Sequence, residues 1–208
     1  MAKEKFIVLD TEGMSGKIPY NIGFIVADRY GKVYKHYSFA LPENIHVNIC
    51  QCAKTQQAVE MTARNVEEIL NDFGKPRRKR KYKCVANKWV INFLLKTIRR
   101  HKIRKIYAYN AAFDRNHLPE LRAYKWCDIM RLAAYRQYNT KIPAEVECYG
   151  TGRMKRGYGV ESILRMIGED KQYKETHNAY FDALDELKIV QLLGYNMETY
   201  DNAIIGSR

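Results

Sequence analysis

Two carboxylates separated by one residue, Asp10 and Glu12, directly follow an apolar run at residues 6–9. If this run is a strand, side chains at positions i and i+2 point to the same face, so both carboxylates project together. Adjacent carboxylates repel each other, and a bound cation removes that repulsion. The pair therefore indicates a cation site, although a turn Asp followed by a solvated Glu would leave the same pattern.

Further ionisable residues stand at two later boundaries between elements. Asp114 follows another apolar run, and His177 precedes Asp182 by five positions at the start of an amphipathic stretch that also contains Asp185. Alone, Asp114 could be a first-turn residue favoured by the helix dipole, and the nearby His117 rivals His177 for any role that needs an imidazole. Together these residues form a set of carboxylates without cysteine, which suits Mg²⁺ or Mn²⁺ better than Zn²⁺.

The positive charge of the chain is concentrated in one segment. The formal net charge is +13, and residues 75–105 hold 14 of the 36 Lys and Arg residues and no Asp or Glu. The remainder then has 22 basic and 23 acidic residues, a net charge of −1. A localised basic face attracts polyanions, and nucleic acid is the first candidate. The alternatives are a solvated charged loop and, less favoured, a contact with acidic lipid.

The apolar patterns predict the elements that position these residues. Strands are predicted at 6–9, 19–28 and 32–40 as an antiparallel meander, and a fourth at 106–109 beside the first. Helices are predicted at about 59–73, 86–101, 112–122, 127–138, 160–168, 178–194 and 197–204, with a basic loop at 77–83 and a mobile Gly-rich loop at 149–159. This order is typical of a mixed α/β layer on a central sheet. We therefore predict one domain over residues 1–208, with a basic loop and helix insertion at about 75–105.

Length and composition narrow the class of protein. The chain has 208 residues and is 46% hydrophobic, without an apolar run near the roughly 18 residues that cross a bilayer. Its five cysteines are scattered and odd in number, which fits a reducing cytoplasm better than a disulfide framework. We expect a cytoplasmic protein with no membrane partner. A zinc site from His46, Cys50 and Cys52 is disfavoured, because the spacing is unusual and a fourth ligand is missing.

Three ordered motifs resemble one family. IVLDTEG from Ile7, YNAAFDRNHL from Tyr109 and HNAYFD from His177 resemble the motifs of the DEDDh 3′–5′ exonucleases. This DnaQ-like family includes the proofreading subunit, RNase T and oligoribonuclease. The segment from Val160 to Gly168 also resembles the leucine-rich helix that precedes the third motif. The resemblance extends from residue 6 to about 194.

This resemblance implies a fold, a cofactor and a reaction. The fold would be RNase H-like, a mixed sheet flanked by helices. Two divalent ions, Mg²⁺ or Mn²⁺, would be held by four carboxylates: Asp10, Glu12, Asp114 and Asp182. His177 would be the general base, taking a proton from the water that attacks the terminal phosphodiester. The products would be 5′-mononucleotides released from 3′ ends, with single-stranded DNA favoured and RNA left open.

Substrate contacts are expected from two regions. Thr11, Gly13 and Met14 would line the pocket of the 3′ nucleotide, and Asn110 is a further candidate. Phe113 either stacks on a terminal base or belongs to the core. The phosphates upstream would meet the basic loop through Arg77, Arg78, Lys79 and Arg80.

Rival hypotheses share this fold. One is a non-catalytic nucleic-acid-binding module, and another is an RNase H-like endonuclease. Gly13-Met14 stands after Glu12 where many members of the family have Thr-Gly, which puts substrate preference in question more than activity. The sequence does not decide between a monomer and a homodimer, or whether a polymerase is a partner.

Overall fold

The computed structural model describes residues 4–14, 18–41, 44–45, 64, 66–72, 75–79, 83–84 and 86–206. Its strands are β1 (Lys5–Met14), β2 (Ile18–Asp28), β3 (Val33–Ala40), β4 (Lys83–Cys84), β5 (Lys105–Ala108), β6 (Lys125–Asp128) and β7 (Ile204–Ile205). Its helices are α1 (Asn87–His101), α2 (Ala112–His117), α3 (Met130–Ala133), α4 (Val160–Ile167) and α5 (Ala179–Leu193). Residues 66–72 are also helical, and 3₁₀ turns span Arg77–Lys79, Pro119–Leu121 and Thr199–Ala203.

One mixed sheet of seven strands organises the described chain, in the order β4-β3-β2-β1-β5-β6-β7. The predicted meander is confirmed, because β2 pairs antiparallel with both β1 and β3. The predicted fourth strand is β5, which lies parallel to β1 with Ile106 opposite Ile7. The α/β class with a central sheet flanked by helices is likewise confirmed.

The two faces of the sheet carry different helices. Side chains alternate along β1, so Phe6 and Val8 enter the apolar cluster that contains α4 and α5, whereas Ile7 and Leu9 enter the cluster that contains α1. We call these faces the α5 face and the α1 face. Because the buried side of α1 belongs to the main core, this part of the basic segment is integral to the sheet domain.

Three helix predictions in the second half of the chain are wrong in their type or extent. The predicted helix at 127–138 is replaced by β6 and the short α3, because Trp126 and Cys127 are buried on opposite faces as strand residues. The helix predicted to reach 122 ends at His117, since Pro119 cannot continue it and starts a 3₁₀ turn instead. The last predicted helix is the 3₁₀ turn that leads into β7.

The Gly-rich segment 149–159 is tied to the domain rather than open. Met154 is buried, and its backbone N–H donates to the carbonyl of Ala134 at 2.9 Å. Backbone bonds from Tyr149 to Arg153 and from Arg136 to Gly152 close the turn. The prediction of a mobile loop is therefore wrong, because an apolar anchor and a set of backbone hydrogen bonds fix it.

Other predictions fall partly outside the described residues. This applies to the candidate zinc ligands His46, Cys50 and Cys52, to Arg80, and to the start and end of the helix predicted at 59–73. Cys127 and Cys148 are free thiols. None of the helices in the described ranges has the length and apolar character needed to span a membrane.

Candidate metal and catalytic site

The end of β1 presents Asp10 and Glu12 on the α5 face. Both follow the alternation set by Phe6 and Val8, so their carboxylates project from the sheet together, as the spacing predicts. Asp10 and Glu12 are each half-buried. Asp10 Oδ2 is shielded from solvent and has no hydrogen-bond partner in the described part of the chain.

Asp114 is held against this strand end by Thr11. The backbone N–H and the hydroxyl of Thr11 both donate to Asp114 Oδ1, at 2.9 and 2.7 Å. Burial raises the pKa of Asp114 to about 8, although the Thr11 hydrogen bonds oppose this shift. Asp114 Oδ2 is buried without a partner among the described residues. Thr11, predicted to line the nucleotide pocket, is only 2% exposed, and its hydroxyl is used to orient Asp114.

His117 contacts the Thr11 hydroxyl that holds Asp114. Its Nδ1 lies 2.8 Å from the Thr11 hydroxyl oxygen. Because that hydroxyl donates its proton to Asp114, pairing requires a proton on Nδ1 of His117. A Cβ at Gly13 would collide with the imidazole, so glycine is required for this close approach. Burial lowers the pKa of His117 to about 4, which keeps the ring neutral. His117 is therefore a positioning group for Thr11 and Asp114, and His177 as the base stays a prediction.

The first turn of α5 is docked directly on β2. Asn21 Oδ1 accepts the backbone N–H of Ala179 at 3.0 Å, and a side chain at Gly23 would collide with the Ala179 backbone. The Asn178 side chain caps the helix by accepting the N–H of Tyr180 at 3.1 Å. These contacts fix the position of Asp182, one turn further along the helix, beside β1.

Glu12, His177 and Asp182 meet at one point. Each offers a donor atom, and these three atoms all lie within 4.8 Å of one another. At this separation the negative charge of Glu12 acts directly on the Asp182 carboxyl and raises its pKa. His177 adopts the left-handed conformation with φ of +53°, a strained backbone for a residue with a Cβ. Burial lowers the pKa of His177, against the opposing charge of Glu161, and so favours the neutral base.

The predicted carboxylates form one electrostatic cluster. Burial raises the pKa of Asp10, and the charges of Asp114, Glu186, Glu12 and Asp182 raise it further. Burial and the Glu12 charge raise the pKa of Asp182 to about 10. All five predicted groups, including His177, are thus brought to the same strand end.

Glu186 is a fifth buried carboxylate, which sequence reasoning missed. It is 1% exposed, and its Oε1 accepts the backbone N–H of Tyr109 at 2.9 Å. Its place four residues after Asp182, among the apolar positions of α5, was the available signal. Asp185, noted beside Asp182 in the sequence, instead accepts a hydrogen bond from the Tyr173 hydroxyl. Glu175 also borders the cluster, and burial raises its pKa to about 7.

The donor set fits a hard divalent cation. Four carboxylate oxygens are buried without a hydrogen-bond partner in the described ranges: Asp10 Oδ2, Asp114 Oδ2, Asp182 Oδ1 and Glu186 Oε2. Carboxylate oxygens are the preferred ligands of Mg²⁺ and Mn²⁺, and uncompensated buried carboxylates are costly. A cation at this point would balance the clustered negative charge.

The other residues predicted to bind substrate are exposed wherever the structure describes their side chains. Phe113 is 38% exposed, with its ring edge-on to His117 at 4.3 Å between centroids, so it is not a core residue. Asn110 is exposed with φ of +58°, and its N–H donates to Asp128 at 2.9 Å. Arg78 and Lys79 are exposed. The side chains of Met14 and Arg77 lie outside the described part of the chain.

No protein-family model matches the sequence, and no curated protein matches it significantly.

The raised carboxyl pKa values predict how stability depends on pH. Carboxyl groups in the unfolded chain have pKa values near 4. In the folded protein the pKa values of Asp114, Glu175 and Asp182 are raised to about 8, 7 and 10. From about pH 7 upward, above the titration of unfolded imidazoles, the folded state binds more protons than the unfolded state, so the free energy of unfolding falls as pH rises. Urea titrations in EDTA should give a lower free energy of unfolding at about pH 9 than at about pH 7.

Glu186→Gln provides the matched variant for that experiment. The amide oxygen still accepts the Tyr109 N–H, but one buried charge is removed, so the decline with pH should become shallower. Saturating Mg²⁺ or Mn²⁺ should also reduce the decline in the wild type. Stability that rises with pH in EDTA would contradict the clustered, uncompensated carboxylates.

Proposed function

We propose that the protein is a metal-dependent 3′–5′ exonuclease of the DEDDh type on an RNase H-like fold, releasing 5′-mononucleotides. The observation that carries this proposal is the convergence of Asp10, Glu12, Asp114, His177 and Asp182 at one strand end. These residues come from three motifs far apart along the chain, and they are the ones that the family resemblance assigns. A mixed sheet with helices on both faces agrees with an RNase H-like fold.

The four motif carboxylates would hold the divalent ions, Mg²⁺ or Mn²⁺. When bound, such ions neutralise the phosphate and stabilise charge on the leaving oxygen. Thr11 keeps Asp114 aimed at this point through its two hydrogen bonds. Gly13 lets the strand end approach His117 closely, which fixes the wall of the pocket where the terminal nucleotide would lie.

The imidazole of His177 would accept the proton of the attacking water. Its position beside Glu12 and Asp182 places it next to the phosphate-binding point, and burial favours the neutral form that a base requires. The exposed ring of Phe113 would stack on the terminal base. The substrate would be single-stranded nucleic acid, DNA or RNA.

End-labelled oligonucleotides test the proposal directly. Single-stranded DNA and RNA, labelled at either end, are incubated with Mg²⁺ or Mn²⁺, with EDTA as the control. We expect a 3′ label to be released at once as a mononucleotide. A strand labelled at its 5′ end should become shorter one nucleotide at a time. Binding without hydrolysis would favour the non-catalytic module, and cleavage of a circular strand would favour an endonuclease.

A further inference from the structure

A group of exposed cations lies on the α1 face of the sheet, on the other side from the carboxylates. Val90, Leu94 and Ile98 of α1 are buried against the sheet, whereas Lys96, Arg99 and Arg100 are exposed. The latter three share one side of the helix, since they are spaced by three and four residues. Asp10 and Glu12 project from the α5 face, and Asp182 meets them there from α5.

Two strands add cations to the same face. Lys5 follows the alternation of Ile7 and Leu9, which belong to the α1-face cluster. Lys35 lies opposite Val26, another member of that cluster. Side chains directly opposite each other in a sheet share a face. The α1 basic surface therefore comprises Lys5, Lys35, Lys96, Arg99 and Arg100.

Electrostatics at His101 support this grouping. Burial lowers the pKa of His101, and the charges of Lys5, Arg100 and Lys35 lower it further. These three cations come from β1, α1 and β3, so the three elements bring their charges to one place.

The charge of the surface is not neutralised by the protein. Helix α1 contains no Asp or Glu, and within the described ranges Lys35, Lys96, Arg99 and Arg100 form no ion pair. Lys5 lies over the ring of Tyr34 at 4.2 Å and opposite Asp28 in the sheet, so the excess charge of the surface comes from Lys35, Lys96, Arg99 and Arg100. A local excess of positive charge of this kind attracts polyanions.

We propose that the α1 basic surface binds the phosphate backbone of a nucleic acid, at a place separated by the sheet from the carboxylate site. The helix of 15 residues is about 22 Å long, enough to follow several phosphates. Trp89 is 40% exposed and precedes Lys96 by seven positions, so it lies on the same side of α1 and offers an aromatic ring to a base. A membrane surface is disfavoured, because a single aromatic residue among cations is not the apolar face that membrane insertion requires.

Because the sheet separates the two sites, a strand must be long to contact both the carboxylate site and the α1 basic surface. A short strand whose 3′ end occupies the carboxylate site stays on the α5 side, and only a longer strand can pass around the sheet to the α1 basic surface. This part rests on the proposed function, whereas binding to the surface itself does not. The substrate class is therefore a long or folded nucleic acid rather than a short oligonucleotide.

The test compares a surface variant with a charge-matched control. The surface variant carries Lys35→Gln, Lys96→Gln, Arg99→Gln and Arg100→Gln. The control carries Arg122→Gln, Lys141→Gln, Arg156→Gln and Lys188→Gln, all at exposed positions elsewhere. Fluorescence anisotropy in EDTA measures binding to single strands of about 6 and about 30 nucleotides, so the result does not depend on hydrolysis.

We expect the surface variant to bind the longer strand about tenfold more weakly than the control variant does. The slope of its affinity against salt concentration should fall by about 3, since four cations are removed. Binding of the shorter strand should weaken by a smaller factor, because it contacts fewer phosphates. Lys35→Arg with Lys96→Arg, which keeps the charge, should bind as the wild type does.

Two outcomes would overturn the proposal. One is equal weakening in both variants, which would mean that total charge alone matters. The other is unchanged strand binding with loss of sedimentation on phosphatidylserine vesicles, which would assign the surface to acidic lipid. If the 3′-label assay shows no hydrolysis while the surface variant still loses strand binding, the proposed function fails and this inference stands.

Discussion

Asp10→Asn and Asp182→Asn are each expected to abolish nucleotide release and, at the same time, to stabilise the metal-free protein. Both carboxylates belong to the cluster that would hold the ions, so the rate should fall by at least about a thousandfold, or about 4 kcal/mol of barrier. Both are also shielded from water among like charges, and that environment raises their pKa values. Removing one charge should therefore raise the free energy of unfolding in EDTA by about 1–2 kcal/mol.

The paired readouts separate a role in chemistry from a role in folding. Label release is measured with Mg²⁺, and thermal unfolding is measured in EDTA, where the midpoint should rise by about 2–4 °C per kcal/mol. Asp185→Asn is the control from the same helix, since its carboxylate is hydrogen-bonded to Tyr173 and half-buried. It should retain activity within about fivefold. Full activity in either site variant would refute the metal-site account.

His177→Ala is expected to reduce the rate by about a hundredfold to ten-thousandfold, which is the usual contribution of a general base. In the wild type the rate should rise with pH as His177 loses its proton. That rise should lie below the ordinary imidazole value near 6.5, because burial lowers the pKa of His177. The variant should lose this rise in its pH profile.

Metal binding decides whether His177 acts as a base or as a ligand. Its ring nitrogen lies in the same 4.8 Å group as donor atoms of Glu12 and Asp182, so both roles are geometrically open. Calorimetry with Mn²⁺ should show affinity within about threefold of wild type if His177 is the base. Loss of Mn²⁺ binding would make it a ligand instead. His36→Ala, at an exposed position on β3, is the control and should leave both measurements unchanged.

Sequence reasoning was most successful where a pattern is local. The β1–β3 meander follows from apolar alternation, and the Asp10 and Glu12 spacing is enough to place both carboxylates on one face. The position of Asp114 also followed, because β5 lies parallel to β1 and both strands end at the same edge. His177 and Asp182 needed the resemblance, since their spacing alone does not identify what α5 packs against.

The misses depended on tertiary contacts. The helix predicted at 127–138 is too long, because β6 has only four residues and leads straight into a helical apolar pattern. Thr11 was assigned to a pocket, but its hydroxyl is held between Asp114 and His117, a contact that spans more than a hundred residues. The sequence does not identify Glu186, because the burial of one polar residue on α5 depends on how the helix is rotated against the sheet. The side of the sheet that carries α1 likewise could not be read from charge alone.

A crystal grown with Mn²⁺ and a nucleoside 5′-monophosphate provides the most direct test of the central claim, that three distant motifs build one cation site. The anomalous map should show Mn²⁺ bound by Asp10, Glu12 and Asp182, with Asp114 facing it and the phosphate beside His177. Soaked crystals of Asp182→Asn should lose that signal. Manganese bound elsewhere, or none at these carboxylates at saturating concentration, would contradict the account.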